Sequence, residues 1–275
     1  MNSDSETATA PPETAGFDVR EFARTAHGNH RATLDLRPLA EEPLDAESLR
    51  LVRALRDMER ATLHRVRDLL VTATHKDARV TAFLTTWMFE RFWIADALDA
   101  VLDVSPATGD LPPSAGPARW APAERRERRG PVARSLVAGI TGTQIVAEHM
   151  TTGLVDEWIT QAAYRRLAGA SPAMASIINP VVEIKHRHSR FLAEEAERRL
   201  RRSARARRLT RRALRRTAWP LGSVDRSEHE RTFFERQVFG DRRGRAEAHR
   251  IRARVAALPG IRPRVASIVE SRLLP

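Results

Sequence analysis

Apolar side chains recur at helical spacing along most of this chain. They return every three or four positions over about 45–74 and 77–102, a period that predicts two long amphipathic helices. A third helix is predicted over about 132–168. A fourth begins near Pro172, continues past a kink at Pro180 and ends at Trp219. Two or three short helices are expected over 226–275, and few segments alternate as strands do. The pattern therefore predicts an all-α fold.

Glutamates interrupt the apolar seams of these helices. Glu59 lies in the seam Val52, Leu55, Thr62, Val66 and Leu69, and Glu90 lies in the seam Val80, Phe83, Trp87, Ile94, Ala97 and Val101. Glu148 and Glu183 lie near the middle of the third and fourth helices, and His186 follows Glu183 at i+3. A carboxylate that faces a bundle core is costly unless its charge is compensated. Four of them, one per helix, are most simply explained by a shared cation.

The spacing of the glutamates supports a common level in the bundle. The interval from Glu59 to Glu90, like that from Glu148 to Glu183, corresponds to half a helix, a turn and half a helix back. The connector 103–130 contains five prolines and three glycines, which exclude a continuous helix. Its length suits the crossover that joins the second and third helices of ferritin-like bundles. The sequence thus predicts that the carboxylates converge.

This arrangement resembles the ferritin-like superfamily, in its rubrerythrin, bacterioferritin and acyl-desaturase branch, over about 45–200. The resemblance implies a four-helix bundle with a long helix 2–3 crossover that binds one or two iron or manganese ions. It also implies an oxidoreductase or oxidase that uses dioxygen or peroxide. The metal ligands implied are Glu59, Glu90, Glu148, Glu183 and His186. Members of the family carry Glu-x-x-His on the second helix, but here Trp93 stands at the histidine position.

The substitution at Trp93 leaves three outcomes open. The site holds one metal through Glu148, Glu183 and His186, or it holds two with another histidine as substitute, or it holds none. The substitute histidines are His64, His149 and His188. Without metal, the chain is a ferritin-like scaffold or a partner-binding protein. Other glutamates, among them Glu157 and Glu195, are interpreted as solvated or salt-bridged.

Composition excludes sites that depend on cysteine and bears on the cellular location of the protein. The chain has 275 residues and no cysteine, which excludes disulfides, thiolate zinc sites and iron–sulfur clusters. No apolar run reaches the roughly 18 residues of a membrane span. The segment 1–16 is polar and acidic, and it predicts a disordered tail rather than a secretory signal. These features predict a cytoplasmic protein.

Arginine supplies nearly all of the positive charge. The net charge is +12, and the only lysines are Lys76 and Lys185. The segment Arg198–Arg216 suggests a third hypothesis, an arginine-driven nucleic-acid binder. However, it contains no aromatic, asparagine or glutamine side chain to read bases, so nucleic acid is not expected as a partner. The predicted units are the tail 1–16, the bundle 17–200, and 201–275, which combines the arginine-rich helix end with a helical appendage. Residues 226–275 are expected to pack on the bundle or on a second copy.

Overall fold

A computed structural model describes residues 16–105, 142–221 and 227–275, without the side chains of Leu63 and His64. Every regular element in these ranges is a helix, which confirms the all-α prediction. The predicted tail, apart from Gly16, and the connector from residue 106 onward lie outside the described ranges. The α-helices are α1 (Val19–Arg24), α2 (Arg37–Glu41), α3 (Ala46–Leu70), α4 (Ala78–Asp103), α5 (Ile145–Ala168), α6 (Pro172–Arg202), α7 (Ala204–Leu214), α8 (Glu228–Phe239), α9 (Arg242–Ala257) and α10 (Pro263–Ser271). Short 3₁₀ helices span His30–Thr33, Ala73–Lys76 and Gly142–Gln144.

The long helices begin at side chains that cap them. The carboxylate of Asp45 accepts a hydrogen bond from the backbone N–H of Ser48, and Asp77 accepts one from Val80. Ser171 caps α6 in the same way, immediately before Pro172. Such caps satisfy backbone donors that have no partner within the helix. The helices therefore begin where the apolar periodicity begins.

Four long helices form a bundle. The 3₁₀ turn Ala73–Lys76 joins α3 to α4 as one hairpin, and Gly169–Ser171 joins α5 to α6 as the other. The hairpins face each other, with α3 against α5 and α4 against α6. Leu55 of α3, Ile94 of α4 and Leu154 of α5 are fully buried in the common core. This packing confirms a helical bundle and orients one buried stripe of each helix towards a shared interior.

The arginine-rich helix breaks earlier than its sequence predicts. The helix α6 continues through Pro180 but ends at Arg202, and Ser203 adopts an extended conformation that caps α7. The Nη1 atom of Arg207 donates to the carbonyl of Leu200 over 2.8 Å. Because the side chains of Ser203 and Arg207 satisfy the freed backbone groups, the chain turns here and α7 packs against α5.

The C-terminal helices pack back on the bundle. The guanidinium of Arg50 on α3 pairs with Glu230 of α8 over 2.8 Å and lies 4.0 Å from the ring centre of Phe233. The guanidinium of Arg254 on α9 covers Trp158 of α5 at 5.7 Å. The residues 227–275 thus extend the core of the bundle. None of the described helices combines the length and the apolar character needed to span a bilayer.

Candidate functional site: a buried ionic cluster

Two of the predicted site residues lie together inside the bundle. The carboxylates of Glu59 on α3 and Glu90 on α4 are fully buried. Both positions belong to the apolar seams that point to the core, so the sequence placed them correctly. Trp93, at the expected histidine position, lies elsewhere: it contacts Phe89 and Phe92, which are 46% and 53% exposed on the outer face of α4.

The expected Glu183–His186 pair does not reach this interior. Their side chains are 78% and 45% exposed, and their closest approach is 3.6 Å, between Nδ1 of His186 and Oε1 of Glu183. The buried stripe of α6 instead contains Val181, Lys185, His188 and other residues at helical spacing. Glu183 is two positions away from Lys185, or about 200° around a helix, so it points to solvent. The buried residues at this spacing on α6 are Lys185 and His188, not Glu183 and His186.

Glu148 also lies apart from Glu59 and Glu90. It occupies the first turn of α5 and is partly buried. Burial raises the pKa of this carboxyl, and the opposing influence comes from Arg212 of α7 rather than from any group near Glu59. The five predicted ligands therefore do not converge. Within the ranges that the structure describes, no group of three or more histidine, aspartate or glutamate side chains is arranged to hold a metal ion.

Basic and acidic side chains from all four long helices meet at Glu59 and Glu90. We call this set the buried ionic cluster; its members are Glu59, Glu90, Arg91, Glu157, Lys185 and His188, all at most 2% exposed. Glu157 comes from α5, and Lys185 and His188 come from α6, one turn apart. The cluster is held by helix periodicity, since each member lies on the stripe that its helix turns inward.

Glu59 is enclosed by three donors. The Nε atom of Arg91 donates to its Oε2, and the Tyr164 hydroxyl donates to its Oε1 over 2.8 Å. The Nζ atom of Lys185 donates to the same Oε1 over 3.0 Å. Two of these donors are cationic, which is the usual compensation for a buried carboxylate.

Lys185 links Glu59 to Glu157. Its Nζ lies 3.0 Å from Oε2 of Glu157, a close ion pair whose angles are not those of a hydrogen bond. The other oxygen of Glu157 accepts a hydrogen bond from the indole of Trp87 over 2.9 Å and lies 3.6 Å from Nη1 of Arg91. The ammonium of Lys185 therefore sits between two carboxylates from different hairpins.

His188 connects the second buried carboxylate to the cluster. Its Nε2 lies 2.7 Å from Oε2 of Glu90, whose other oxygen accepts the backbone N–H of His27 over 2.9 Å. Its Nδ1 lies 3.7 Å from Oε1 of Glu157 and has no hydrogen-bond partner among the described residues. The rings of Phe22, Phe83 and Trp87 surround the imidazole, with centres 6.0 to 6.5 Å away. His188 thus lies between two carboxylates in an otherwise aromatic shell.

The electrostatics favour ionised carboxylates. Burial acts to raise the pKa of Glu59, but Arg91 and Lys185 outweigh it, so the pKa is lowered. Burial likewise opposes ionisation of Glu157, yet Lys185, His188 and Arg91 together hold its pKa well below the usual range. Burial and the charge of Glu59 raise the pKa of Tyr164 well above its ordinary value, which keeps the hydroxyl a donor. The cluster is consequently a set of mutually compensated charges.

The donor set does not fit the metal that the resemblance implies. A metal held by Glu59 and Glu157 needs their oxygens free, but Lys185 and Arg91 occupy them. Glu90 and His188 are bonded to each other. A cation at this point would meet an ammonium and a guanidinium at short range, and like charges in a low-dielectric interior repel strongly. Lys185 and Arg91 therefore occupy the position at which the resemblance implies a metal ion.

Sequence reasoning did not identify Arg91 and Lys185 as site residues. It named His188 only as a substitute metal ligand, and it interpreted Glu157 as solvated or salt-bridged. A signal existed for Lys185, one of two lysines in an arginine-rich chain, because it shares a stripe with Val181 and Phe191. His188 lies on this stripe too, although in an ionic rather than a metal-binding setting.

The remaining candidate histidines do not join the cluster. His149 lies with its Nδ1 2.9 Å from the hydroxyl of Thr74, and burial followed by the charge of Arg65 lowers its pKa to about 3. The side chain of His64 lies outside the described residues. Comparisons of the chain with models of known protein families, with curated proteins and with solved structures found no match.

Proposed function

We propose that this protein is a metal-free helical scaffold of the ferritin-like type, with a structural or partner-binding role, rather than an oxidoreductase. The observation that carries the proposal is the position of Lys185. Its ammonium lies 3.0 Å from a carboxylate oxygen of Glu59 and 3.0 Å from one of Glu157. A protein cation thereby supplies the compensation that a metal supplies in di-metal bundles. A cytoplasmic location remains part of this proposal.

The pattern of helices supports the ferritin-like part of the proposal. Di-metal carboxylate bundles take one glutamate from each of two helices and Glu-x-x-His from each of the other two. Here α3, α4 and α5 each contribute one buried glutamate, and α6 contributes Lys185-x-x-His188. The lysine stands at the glutamate position of that motif. Exchange of a carboxylate for an amine converts a ligand set into a network of ion pairs.

The closed surroundings of the cluster support the scaffold role. Every member is at most 2% exposed, and the flanking Trp87 and Tyr164 are buried as well. A substrate needs a concave, accessible site. A buried charge network instead penalises packings that separate its members, because an unpaired buried charge is costly. The cluster therefore serves to hold the two hairpins in one register.

Metal analysis tests this proposal against the iron or manganese oxidoreductase. Protein expressed in medium supplemented with both metals is expected to contain neither in stoichiometric amount, and a chelator is expected to leave its unfolding midpoint unchanged. Glu183→Ala is the matched control, since this carboxylate is exposed on α6. One or two bound metal ions that are lost in Glu90→Ala and His188→Ala, but kept in Glu183→Ala, would overturn the proposal and favour a metal-binding protein.

A further inference from the structure

A cleft opens at the C-terminal end of the molecule, away from the buried ionic cluster. Its volume is about 440 Å³. Its polar and aromatic lining residues are Arg216, Trp219, Arg231, Glu235, Ser271 and Arg272. They come from the segment after α7, from α8 and from the end of α10. Three separate parts of the chain therefore direct side chains into one space.

Two buried donors at this cleft lack partners. The indole Nε1 of Trp219 and the guanidinium Nε of Arg231 are inaccessible to solvent and make no hydrogen bond with the described protein. Trp219 is 2% exposed as a whole. Both groups can only donate, so neither is satisfied by another donor. An unsatisfied buried donor is costly, and a side-chain movement that turns it into the cleft lets the acceptor oxygens of a ligand remove that cost.

The charge of the cleft is positive. Among the described residues, Arg216, Arg231 and Arg272 line it together with a single carboxylate, that of Glu235. Arg272 is fixed by the hydrogen bond of its Nη1 to the carbonyl of Thr217 over 2.6 Å, which leaves its charge without a carboxylate partner among the described residues. Burial raises the pKa of Glu235, while Arg231 lowers it. The cleft thus presents donors and positive charge to whatever enters.

We infer that this cleft binds a small oxyanion, a phosphate group, through Trp219, Arg231 and Arg216. A phosphate presents several acceptor oxygens, and their tetrahedral arrangement suits donors that arrive from several directions. A carboxylate ligand has only two oxygens in one plane, so it matches a single guanidinium better than donors from several directions. The inference goes beyond the proposed scaffold role and does not depend on it, since no member of the buried ionic cluster takes part.

Titration calorimetry with inorganic phosphate in a chloride buffer tests the inference. We expect saturable binding of one phosphate per chain. Trp219→Phe deletes the indole donor and keeps an aromatic ring, and Arg231→Met deletes a guanidinium and keeps an apolar stem. Each variant is expected to weaken phosphate binding about tenfold, the typical effect of one hydrogen bond to a charged group. Arg216→Met provides a third variant at an exposed position, where loss of folding is not expected.

Matched controls separate the cleft from general positive charge. Arg208→Met removes the same charge from the exposed face of α7, and Trp158→Phe makes the same ring exchange at a residue that contacts Arg254. Both controls are expected to bind phosphate as the unchanged protein does. Absence of saturable phosphate binding, or equal weakening by Arg208→Met and Arg231→Met, overturns the inference. Vesicles of phosphatidic acid distinguish the source of the group: a lipid headgroup site binds them through Arg231, whereas a site for free phosphate does not.

Discussion

The buried ionic cluster and the C-terminal cleft use the same kinds of side chain to opposite effect. In the cluster, Arg91 and Lys185 face the carboxylates of Glu59 and Glu157 within the bundle. In the cleft, the Nε of Arg231 is buried and has no hydrogen-bond partner among the described residues. Compensated charges hold helices together, whereas an uncompensated donor is stabilised by a ligand that brings it an acceptor. The partner of a charged group, rather than its type or its burial, decides between a structural and a binding role.

Removal of the central cation is expected to have the largest effect. Lys185→Met leaves Glu59 and Glu157 buried with less positive charge, and loss of one partner from a buried ion pair costs about 3–5 kcal/mol. Urea unfolding measures the free energy of unfolding. Lys76→Met, the same exchange at the other lysine, which is exposed, should change it by less than about 0.5 kcal/mol. Equal, small effects at both lysines would remove the structural role of the cluster.

Reversal of the charge at the same position sharpens the comparison with a metal site. Lys185→Glu creates a surplus of buried carboxylates, so this variant should be less stable than Lys185→Met without metal. Mn²⁺ should then stabilise it by about 2.7 kcal/mol when present at about 100 times its dissociation constant. The measurement is the unfolding midpoint with and without Mn²⁺. His188→Ala in the same background should abolish the gain, and an Mn²⁺ effect on the unchanged protein would contradict the proposed loss of the site.

Substitution of two tryptophans compares an indole N–H that donates a hydrogen bond with one that does not. The indole of Trp87 donates to Glu157, whereas that of Trp219 donates to nothing in the described protein. Trp87→Phe should cost about 1.5–3 kcal/mol, because a hydrogen bond to a charged group is lost. Trp219→Phe loses no hydrogen bond and should cost less. Chemical denaturation of both variants provides the measurement, and a larger cost for Trp219→Phe would show that the cleft is held by this side chain.

The pH dependence of stability should have opposite signs in the two regions. The pKa values of Glu59 and Glu157 are lowered in the folded protein, so the unfolded chain binds more protons below about pH 4.5 and stability falls as the pH falls there. The pKa of Glu235 is raised by burial, so the folded protein holds this proton more tightly than the unfolded chain does. The contribution of Glu235 to the free energy of unfolding is therefore lost as the pH rises above about 4.5.

Two variants separate these contributions. Lys185→Met should weaken the acid-induced loss, since a cation that lowers both cluster pKa values is gone. Glu235→Gln should remove the smaller, opposite contribution of the cleft. The free energy of unfolding measured from neutral to acid pH reports both. A steeper acid-induced loss in Lys185→Met would contradict the assignment of the cluster as its source.

The sequence predicted the fold better than the site, for a physical reason. Helix caps such as Asp45 and Asp77 act within one turn, so their effect is visible in a few adjacent residues. The break at Ser203 was missed because Arg207 must reach back to the carbonyl of Leu200, a contact that composition does not indicate. Among the predicted ligands, Glu183 was chosen for its spacing to His186. The positions of the apolar residues on α6 show instead that Lys185 and His188 are on the side of the helix that faces the core.

Local periodicity by itself determined the all-helical fold, the hairpins of the bundle and the inward direction of Glu59 and Glu90. Only the tertiary structure decided which charges those glutamates meet, because the partners come from other helices. Lys185 is 126 positions from Glu59, and His188 is 98 positions from Glu90. An apolar stripe in the sequence predicts that a side chain is buried. The neighbours across the core determine whether a metal, a protein cation or a ligand compensates its charge.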